Sequence, residues 1–184
     1  MSIGFKEWAV VCEALGDGRQ TVILRKGGIA EGREGFRFQH PDFFLMPTGF
    51  HEQVAKTRLP AATPLPAPPA GAHRIRWRAT VAWTAFVDNL DTALALEPFH
   101  ILSEPVIRER FDYDTTRGLH VALVRISRLS VPWEFPDAPR YGGCRSWVEI
   151  PESPGDAGLE PVLSDAAFAD VERRLRARVG DAVN

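Results

Sequence analysis

The sequence predicts an α+β fold in which a mixed or mostly antiparallel sheet is flanked by helices. This fold class rests on the observation that segments with strand periodicity cluster along the chain and do not alternate with helices. A proline-rich stretch lies between the two halves of the chain. The chain has 184 residues, of which 45% are hydrophobic and 25% are charged. That balance is typical of a globular protein with a core of its own, and it excludes wholesale disorder or a fibrous repeat.

The first half of the chain, residues 1–58, is predicted to contain two helices and three short strands. Apolar residues within positions 4–15 recur at steps of three and four, which predicts a helix that ends at Gly16. Runs of β-branched and aromatic residues predict strands at 20–25, 35–39 and 42–46, and Thr48 is predicted to cap a helix over 49–56.

A proline-rich connector over residues 59–72 follows this half. Five of the ten residues from 60 to 69 are proline, and such a run favours an extended backbone. We predict a semi-rigid connector or surface loop; the alternative is a ligand for an aromatic groove on a partner protein. Because the first half alone would have a small core, it is expected to form one cooperative domain with residues 73–184.

The second half of the chain opens with its clearest periodic segment. Residues 73–87 alternate strictly between an apolar face and a face with Arg74, Arg76 and Arg78, which predicts a long half-exposed strand. The final element is predicted to be a helix that Ser164 caps and Gly180 ends. Between these two, we predict short helices at 88–96 and 103–111, the second capped by Ser103, and strands at 119–126 and 143–150.

Composition and the N-terminal residues bear on location and partners. The net charge of −2 gives no general attraction to nucleic acid or to an anionic membrane, so such binding would need a local patch. Two cysteines are too few for a disulfide framework, and the N-terminal residues do not have the pattern of a signal peptide. No apolar run is long enough to span a bilayer. We therefore expect a soluble cytoplasmic protein without membrane association.

The polar stretch over residues 25–40 is the first candidate site. Its glycines would let backbone amides approach an anion, and its basic side chains would supply charge and donors. The stretch does not match the P-loop motif, and the alternative is a glycine-rich hairpin with solvated charges. The residues predicted to bind a phosphate-bearing ligand are Arg25, Lys26, Gly27, Gly28, Arg33 and Arg37.

His40 is the candidate acid–base group of such a site, because imidazole titrates near neutral pH. It is also a candidate metal ligand with Asp42 and His51, a mixed set of donors that suits zinc, manganese or iron. The spacing matches no zinc motif, so an ordinary hydrogen-bonding histidine is the alternative. A divalent metal is the cofactor that these residues suggest.

Cys144 is a second catalytic candidate. It follows two glycines and precedes Arg145, whose charge would favour the thiolate form that a nucleophile needs. His120 is a candidate base for this thiol. The alternative is a buried, unreactive cysteine within the predicted strand, as is expected for Cys12 on the apolar face of the first helix.

The arginine ladder, which we define as Arg74, Arg76 and Arg78, is a candidate surface for the phosphates of nucleic acid. The alternative is an outer strand face whose charges are solvated or paired with carboxylates. The carboxylates that the sequence suggests for this pairing are Glu104, Glu109 and Asp112.

Four segments of the chain form a distinctive combination: GFKEWAVVCEAL, VILRKGGIAEGREGFRF, HPDFFLMPT and YGGCRSWVEI. Together they resemble an uncharacterised bacterial family known as domain of unknown function 1802, over most of the chain outside the proline-rich connector. No activity is established for that family, so the resemblance implies a bacterial, cytoplasmic protein and no chemistry. The matching positions are Lys6, Glu7, Arg25, Lys26, Gly27, Gly28, His40, Pro47, Thr48, Gly142, Gly143, Cys144 and Trp147.

Three functional hypotheses remain open, and the sequence does not decide whether the protein is an enzyme. The one we favour is a domain that binds or acts on a phosphate-bearing ligand through the polar stretch at 25–40. The second is an enzyme that depends on Cys144. The third is a non-catalytic adaptor for nucleic acid or protein, which would use the arginine ladder and the proline-rich connector.

Overall fold

The protein is described from a computed structural model, which covers residues 1–26, 36–49, 52–67, 69–113, 115–153, 155 and 158–180. Within these residues the chain forms seven strands and four α-helices. The strands are β1 (Ser2–Trp8), β2 (Val22–Arg25), β3 (Asp42–Thr48), β4 (Ala72–Val87), β5 (Leu119–Pro136), β6 (Trp147–Ile150) and β7 (Glu160–Pro161). The helices are α1 (Ala9–Gly16), α2 (Leu90–Leu94), α3 (Glu104–Phe111) and α4 (Asp165–Val179).

All seven strands belong to one sheet with the order β2-β5-β4-β3-β1-β6, and β7 pairs with the middle of β5, at Ser127 and Arg128. The pairing of β1 with β3 is parallel, whereas the other described pairings are antiparallel. The predicted α+β class with a mostly antiparallel mixed sheet is therefore confirmed. Strands from both halves of the chain share this sheet; cooperative folding of the two halves remains a prediction.

The sheet curls, so that β2 at one edge approaches β1 and β6 at the other end of the sheet. The side chain of Arg25, on β2, donates a hydrogen bond to the backbone carbonyl of Lys6 on β1. The ring of Phe36 lies between these ends, with its centroid 5.7 Å from that of His120 on β5 and 6.4 Å from that of Trp147 on β6. The curl brings the ends of β1 and β2 together.

Apolar side chains pack on both faces of the sheet. The larger cluster includes Leu15 of α1, Ile107 of α3 and Leu175 of α4, which cover one face. Alternate residues of β3 show the division, because Phe43 belongs to the larger cluster and Phe44 to a smaller one on the opposite face. A core of this kind needs no metal or disulfide to hold it together.

The arrangement of β4 confirms the predicted long strand and corrects one detail. Its residues alternate in burial, as the period of two predicts. A shift in its register with β5 between Ile75 and Trp77 puts these two residues in different clusters, although the sequence predicts one shared face. Trp77 packs tightly on α1: a Cβ added at Gly16 would lie 2.1 Å from the Trp77 ring.

The predicted helix at residues 4–15 is wrong in its first half. Residues up to Trp8 form β1, and the helix begins only at Ala9. Pairing with β3 on one side and β6 on the other gives this segment hydrogen bonds that a local helix would replace. The spacing of Phe5 and Trp8 suits a helix as well as a strand, so periodicity alone did not separate the two.

Two further predictions in the first half are also wrong. Residues 36–39 form no strand; Phe36 and Phe38 instead pack on Phe5, with ring centroids 6.3 and 6.2 Å from it. Thr48 ends β3 and donates its hydroxyl hydrogen to the carbonyl of Glu7 at 3.0 Å, so it does not cap a helix. Within the described part of 49–56, a short 3-10 turn spans Val54–Lys56, while 35, 50 and 51 lie outside the described residues.

More of the predicted elements are confirmed in the second half of the chain than in the first. The helices and strands expected at 88–96, 103–111, 119–126 and after Ser164 are present, and the hydroxyl of Ser164 accepts a hydrogen bond from the Ala167 amide at 3.2 Å. The hydroxyl of Ser103 donates to the Lys56 carbonyl instead of capping α3. The strand predicted at 143–150 is shorter, because β6 begins at Trp147. No helix in the described ranges is long and apolar enough to cross a membrane.

Candidate anion-binding site

Arg25 lies where β2 ends and is turned towards β1. Its side chain is 18% exposed, and its Nη2 is 3.4 Å from a carboxylate oxygen of Glu7. Its guanidinium carbon lies 4.7 Å from the ring centroid of Phe5. The same Nη2 donates to the Lys6 carbonyl, whereas its Nε is buried without a hydrogen-bond partner among the described residues. Arg25 therefore links β2 to β1, and its Nε–H remains without an acceptor among the described residues.

Arg110 of α3 joins Arg25 at this position. Its Nη1 donates to the Leu24 carbonyl at 2.9 Å, and its guanidinium carbon lies 4.9 Å from the Trp8 ring. Burial lowers the pKa of Arg110 to about 10, the Glu7 carboxylate opposes that effect, and the neighbouring charge of Arg25 adds to it. Glu7 is 3% exposed, so two guanidinium groups share one buried carboxylate.

Lys26 continues this positive charge towards the end of α3. Its Nζ is 2.9 Å from the ring centroid of Tyr113, a side chain that is 45% exposed. Burial lowers the pKa of Lys26, Glu109 opposes this, and the charges of Arg110 and Lys56 lower it further. The Nζ of Lys56 is 3.7 Å from Glu109. We define the basic cluster as Arg25, Lys26, Lys56 and Arg110.

Trp147 also packs against Phe5. Its ring centroid is 4.7 Å from that of Phe5, and the side chain is half-buried. Its indole Nε1 donates to the carbonyl of Arg37 at 3.3 Å, and the ring of His40 is 5.0 Å away. Arg37 is exposed and His40 is half-buried. The backbone of Arg37 therefore lies beside Trp147.

Cys144 lies in an exposed turn before β6, so the alternative of a buried cysteine is wrong. The Nζ of Lys6 holds this turn by donating to the carbonyls of Tyr141 at 2.8 Å and Gly143 at 2.5 Å. Burial lowers the pKa of Lys6, Cys144 opposes that effect, and Arg145 adds to it, so these three side chains are neighbours. The catalytic role of Cys144 remains untested.

The candidate base for Cys144 has other contacts. The ring centroid of His120 lies 5.7 Å from that of Phe36 and 4.9 Å from that of Phe86. Cys12 behaves as expected of a core residue: it is fully buried, and burial raises the pKa of its thiol, with Glu7 and Glu13 adding to the effect. The two thiols therefore differ sharply in access.

The candidate metal ligands have different surroundings. Asp42 accepts hydrogen bonds from Arg78 at 3.1 Å and Thr80 at 2.6 Å, whereas His40 contacts the Trp147 ring. Over the ranges that the structure describes, no group of three or more His, Cys, Asp or Glu side chains is placed to hold a metal ion. His51 lies outside those ranges, so the three-ligand set stays a prediction.

The arginine ladder is paired with carboxylates. Arg74 bonds to Glu134 at 2.6 Å, Arg76 to Glu13 at 2.7 Å, and Arg78 to Asp42 at 3.1 Å. Pairing was one of the two alternatives for this strand face, but the expected partners are wrong. Those three carboxylates have other partners: Glu104 pairs with Arg108, Glu109 with Lys56, and Asp112 with Arg117.

The structure brings together some of the predicted ligand residues and adds others. Arg25 and Lys26 lie in the basic cluster, and Arg37 lies beside Trp147, while Gly27, Gly28 and Arg33 lie outside the described residues. Sequence reasoning missed Lys56, Arg110 and Tyr113. They come from distant parts of the chain, and no local pattern marks them as neighbours of Lys26.

Comparison with known proteins gives a family and a weak likeness in fold. Residues 4–174 match the family model described as Domain of unknown function (DUF1802). No curated protein matches the chain. Among solved structures, an ASCH protein from Zymomonas mobilis and two mutants of it are similar, with TM-scores of 0.43 to 0.44 and 15 to 16% identity.

The extent of that structural likeness differs among the three crystal structures. The aligned part covers 67% of this chain and 66% of the other chain for the parent protein and one mutant. The chain thus spans just under two thirds of their length. For the second mutant it covers 82% of this chain and 90% of the other. At these values the likeness identifies no function.

Proposed function

The chain belongs to the DUF1802 family, a membership that names no activity, and from the geometry of the site we propose that the protein binds a phosphate-bearing ligand at the basic cluster. One observation carries the proposal. Four cationic side chains lie close together: Arg25 at the end of β2 and Lys26 after it, Arg110 of α3, and Lys56 of the 3-10 turn, so that Arg110 and Lys56 lower the pKa of Lys26, and Arg25 lowers that of Arg110.

The electrostatics of the basic cluster support an anionic ligand. Burying a cation costs free energy unless an opposite charge lies close by, and the lowered pKa values of Lys26 and Arg110 express that cost. A phosphate oxygen in contact with these groups would supply the missing negative charge. Charge-assisted hydrogen bonds of this kind are shorter and stronger than neutral ones.

The roles within the cluster follow from the contacts. Lys26 would meet the ligand directly, because its ammonium lies beside the exposed ring of Tyr113. Arg25 and Arg110 would act mainly through the positive potential that they create, since both donate to backbone carbonyls. Gly27, Gly28 and Arg33, which follow Lys26 in the sequence, are proposed to complete the site as the sequence predicts.

A thermal-shift measurement with sodium tripolyphosphate, at ionic strength held constant with NaCl, tests the proposal. Binding to the native state adds about 2.7 kcal/mol to the free energy of unfolding when the ligand is at one hundred times its Kd. We expect Lys26→Gln to weaken binding about tenfold, since a charge-assisted hydrogen bond is lost. Arg173→Gln is the control, because Arg173 is exposed on α4 and pairs with Asp170.

Two results would contradict the proposal. One is a wild-type melting temperature that does not change at millimolar tripolyphosphate. The other is an equal loss of the shift in Lys26→Gln and in Arg173→Gln, which would mean that the anion binds without preference for the basic cluster.

A further inference from the structure

The proline-rich connector lies outside the basic cluster, and its sequence restricts its backbone conformation. From residue 63 to residue 67, each residue is a proline or directly precedes one. The proline ring fixes φ at about −65°, and a residue before proline is kept out of the helical region. Both restrictions favour the extended polyproline II conformation, and these five residues form no α-helix, strand or turn in the structure.

Burial along the connector repeats every three residues, which is the period of the polyproline II conformation. Thr63, Pro66 and Pro69 are half-buried, whereas the other residues that the structure describes between 61 and 71 are exposed. Pro66 lines a cleft of about 70 Å³ together with Trp77 of β4. One face of the extended segment therefore rests on the folded body, and the described residues of its other two faces are exposed.

Hydrogen bonds hold both ends of the extended segment. The Thr63 amide donates to the Pro60 carbonyl at 2.8 Å, and the Ala72 amide donates to the Pro69 carbonyl at 3.2 Å. Ala72 is also the first residue of β4, so the segment leads directly into the sheet. A segment that is held in this way loses less conformational entropy on binding than a free peptide does.

We infer that the proline-rich connector is a docking segment for a partner protein with an aromatic-lined groove, an inference that does not depend on the proposed function. Such grooves bind proline-rich segments in the polyproline II conformation. The exposed faces present Pro64, Leu65 and Ala67 to a groove of this kind. Leu65 is 41% exposed and is one of four large apolar side chains that are exposed in the described part of the chain.

The backbone of the connector suits a groove that donates hydrogen bonds. Pro64 and Pro66 have no amide hydrogen, and no described residue donates to the carbonyls of residues 64–67. Carbonyls of this kind can accept from indole N–H or phenol O–H groups, which Trp and Tyr supply together with an apolar surface. The edge of a β-sheet suits this segment less, because its prolines lack donors that strand pairing requires.

The lack of charge favours an aromatic groove over a charged one. No residue from 59 to 72 is charged. The two arginines that flank the connector have carboxylate partners, since Arg58 pairs with Glu97 at 3.1 Å and Arg74 with Glu134 at 2.6 Å. The partner would therefore recognise apolar side chains and backbone carbonyls.

Titration of the full chain with isolated WW and SH3 domains, whose grooves are lined by aromatic side chains, tests this inference. A peptide of residues 59–72 first selects the domain of this panel that binds it most tightly. We expect the full chain to bind that domain about tenfold more tightly than the peptide does, because its connector is already ordered. Nuclear magnetic resonance of the isotope-labelled domain measures the affinity and identifies the groove residues in contact.

Matched substitutions locate the contact. Leu65→Asp places a charge on an exposed face of the extended segment and should weaken binding about tenfold or more, because the groove would bury that charge unpaired. Ala61→Asp is the control, since it adds the same charge in the exposed turn before the segment and should bind as the wild type does. Both variants should unfold at the wild-type temperature, because both side chains are exposed.

Three results would overturn the inference. Binding of the full chain that is no tighter than that of the peptide would mean that the folded body hides the connector. Failure of every domain in the panel to bind the peptide at millimolar concentration, or equal losses in Leu65→Asp and Ala61→Asp, would remove the docking segment. Self-association of the full chain that Leu65→Asp abolishes, measured by analytical ultracentrifugation, would assign the surface to a second copy of this chain.

Discussion

The arginine ladder and the basic cluster contain the same kind of side chain in opposite electrostatic settings. Each arginine of the ladder has a carboxylate partner, supplied by β5, by α1 or by β3. In the basic cluster, the cations lie near one another, with Glu7 beside Arg25 and Glu109 beside Lys56. The difference lies in which strands and helices come near, and not in the local sequence. A cation that is paired one to one with a carboxylate offers little charge to a ligand, whereas cations that lie close to one another favour an anion.

Burial adds to this contrast. The pairs of Arg74 and Arg76 are about half or a third exposed on both sides, and such pairs contribute little to stability because water and salt screen them. Glu7 and Arg25 are mostly buried, so their interaction is screened far less. Loss of one partner should therefore matter much more in the basic cluster than in the ladder.

The largest contrast that we expect concerns access to the two thiols. Cys144, in the turn before β6, is exposed and should react with iodoacetamide in the native protein, whereas Cys12 in the core should react only after unfolding. Because the unfolded fraction of a stable domain is about one in a thousand or less, the two rates should differ about a thousandfold or more. Mass spectrometry of native and urea-unfolded protein measures both. Comparable rates would mean that the core around α1 is open.

The next largest effect is expected from removal of the buried carboxylate of Glu7. Glu7→Gln leaves Arg25 and Arg110 without their shared anion, and breaking a buried pair in this way costs about 3–5 kcal/mol. Glu134→Gln, the matched change in the ladder, should cost less than about 1 kcal/mol. Urea unfolding measures both free energies. Equal losses would erase the distinction between the two regions.

The acid sensitivity of the fold should come from His100, whose carbonyl bonds to Arg58. Burial, followed by the charges of Arg58 and Arg110, lowers the pKa of His100 from 6.5 to about 3. The unfolded chain therefore binds a proton between these values that the native protein does not. The stability is fully present above pH 6.5 and falls as the pH drops towards 3, by about 2 kcal/mol at pH 5.

A non-titrating variant isolates this effect. The Nδ1 of His100 accepts a hydrogen bond from the Leu102 amide at 3.1 Å, and the side-chain oxygen of His100→Asn can take over that role. The free energy of unfolding of this variant should change less between pH 7 and pH 5 than that of the wild type. A slope as steep as the wild type's would assign the acid sensitivity to another group.

The smallest effect is expected within the ladder itself. Arg74→Gln removes a half-exposed pair with Glu134, and we expect a change in unfolding free energy of less than about 1 kcal/mol, which should shrink further at 1 M salt. Thermal unfolding at two salt concentrations measures it. A loss of several kcal/mol would show that the outer face of β4 contributes to stability as strongly as the basic cluster.

Local patterns were sufficient for part of the fold. The alternation along residues 73–87 predicted β4, and the cap at Ser164 with the apolar stripe behind it predicted α4. In both elements, the residues that determine the structure are close together in the sequence. The strand at Ser2–Trp8 does not, since its partners are residues 42–48 and 147–150. Its hydrogen bonds arise only once the chain has folded.

The same limit applies to the site. The run of basic residues and glycines at 25–40 drew attention to Arg25 and Lys26, which do lie in the basic cluster. Tyr113 and Arg110 reach Lys26 because α3 packs against the end of β2. No spacing pattern in the sequence predicts that contact. The pairing of the ladder depends likewise on register, which places Asp42 beside Arg78.

Isothermal titration with tripolyphosphate, at constant ionic strength, tests most directly whether the basic cluster and not the arginine ladder binds the anion. Lys26→Gln with Lys56→Gln removes two charges from the basic cluster, and Arg74→Gln with Arg76→Gln removes two from the ladder. We predict that the first double variant loses binding by about a hundredfold, at about tenfold for each charge-assisted contact, while the second binds as the wild type does. Equal losses in both, or a loss confined to the ladder variant, would contradict this account.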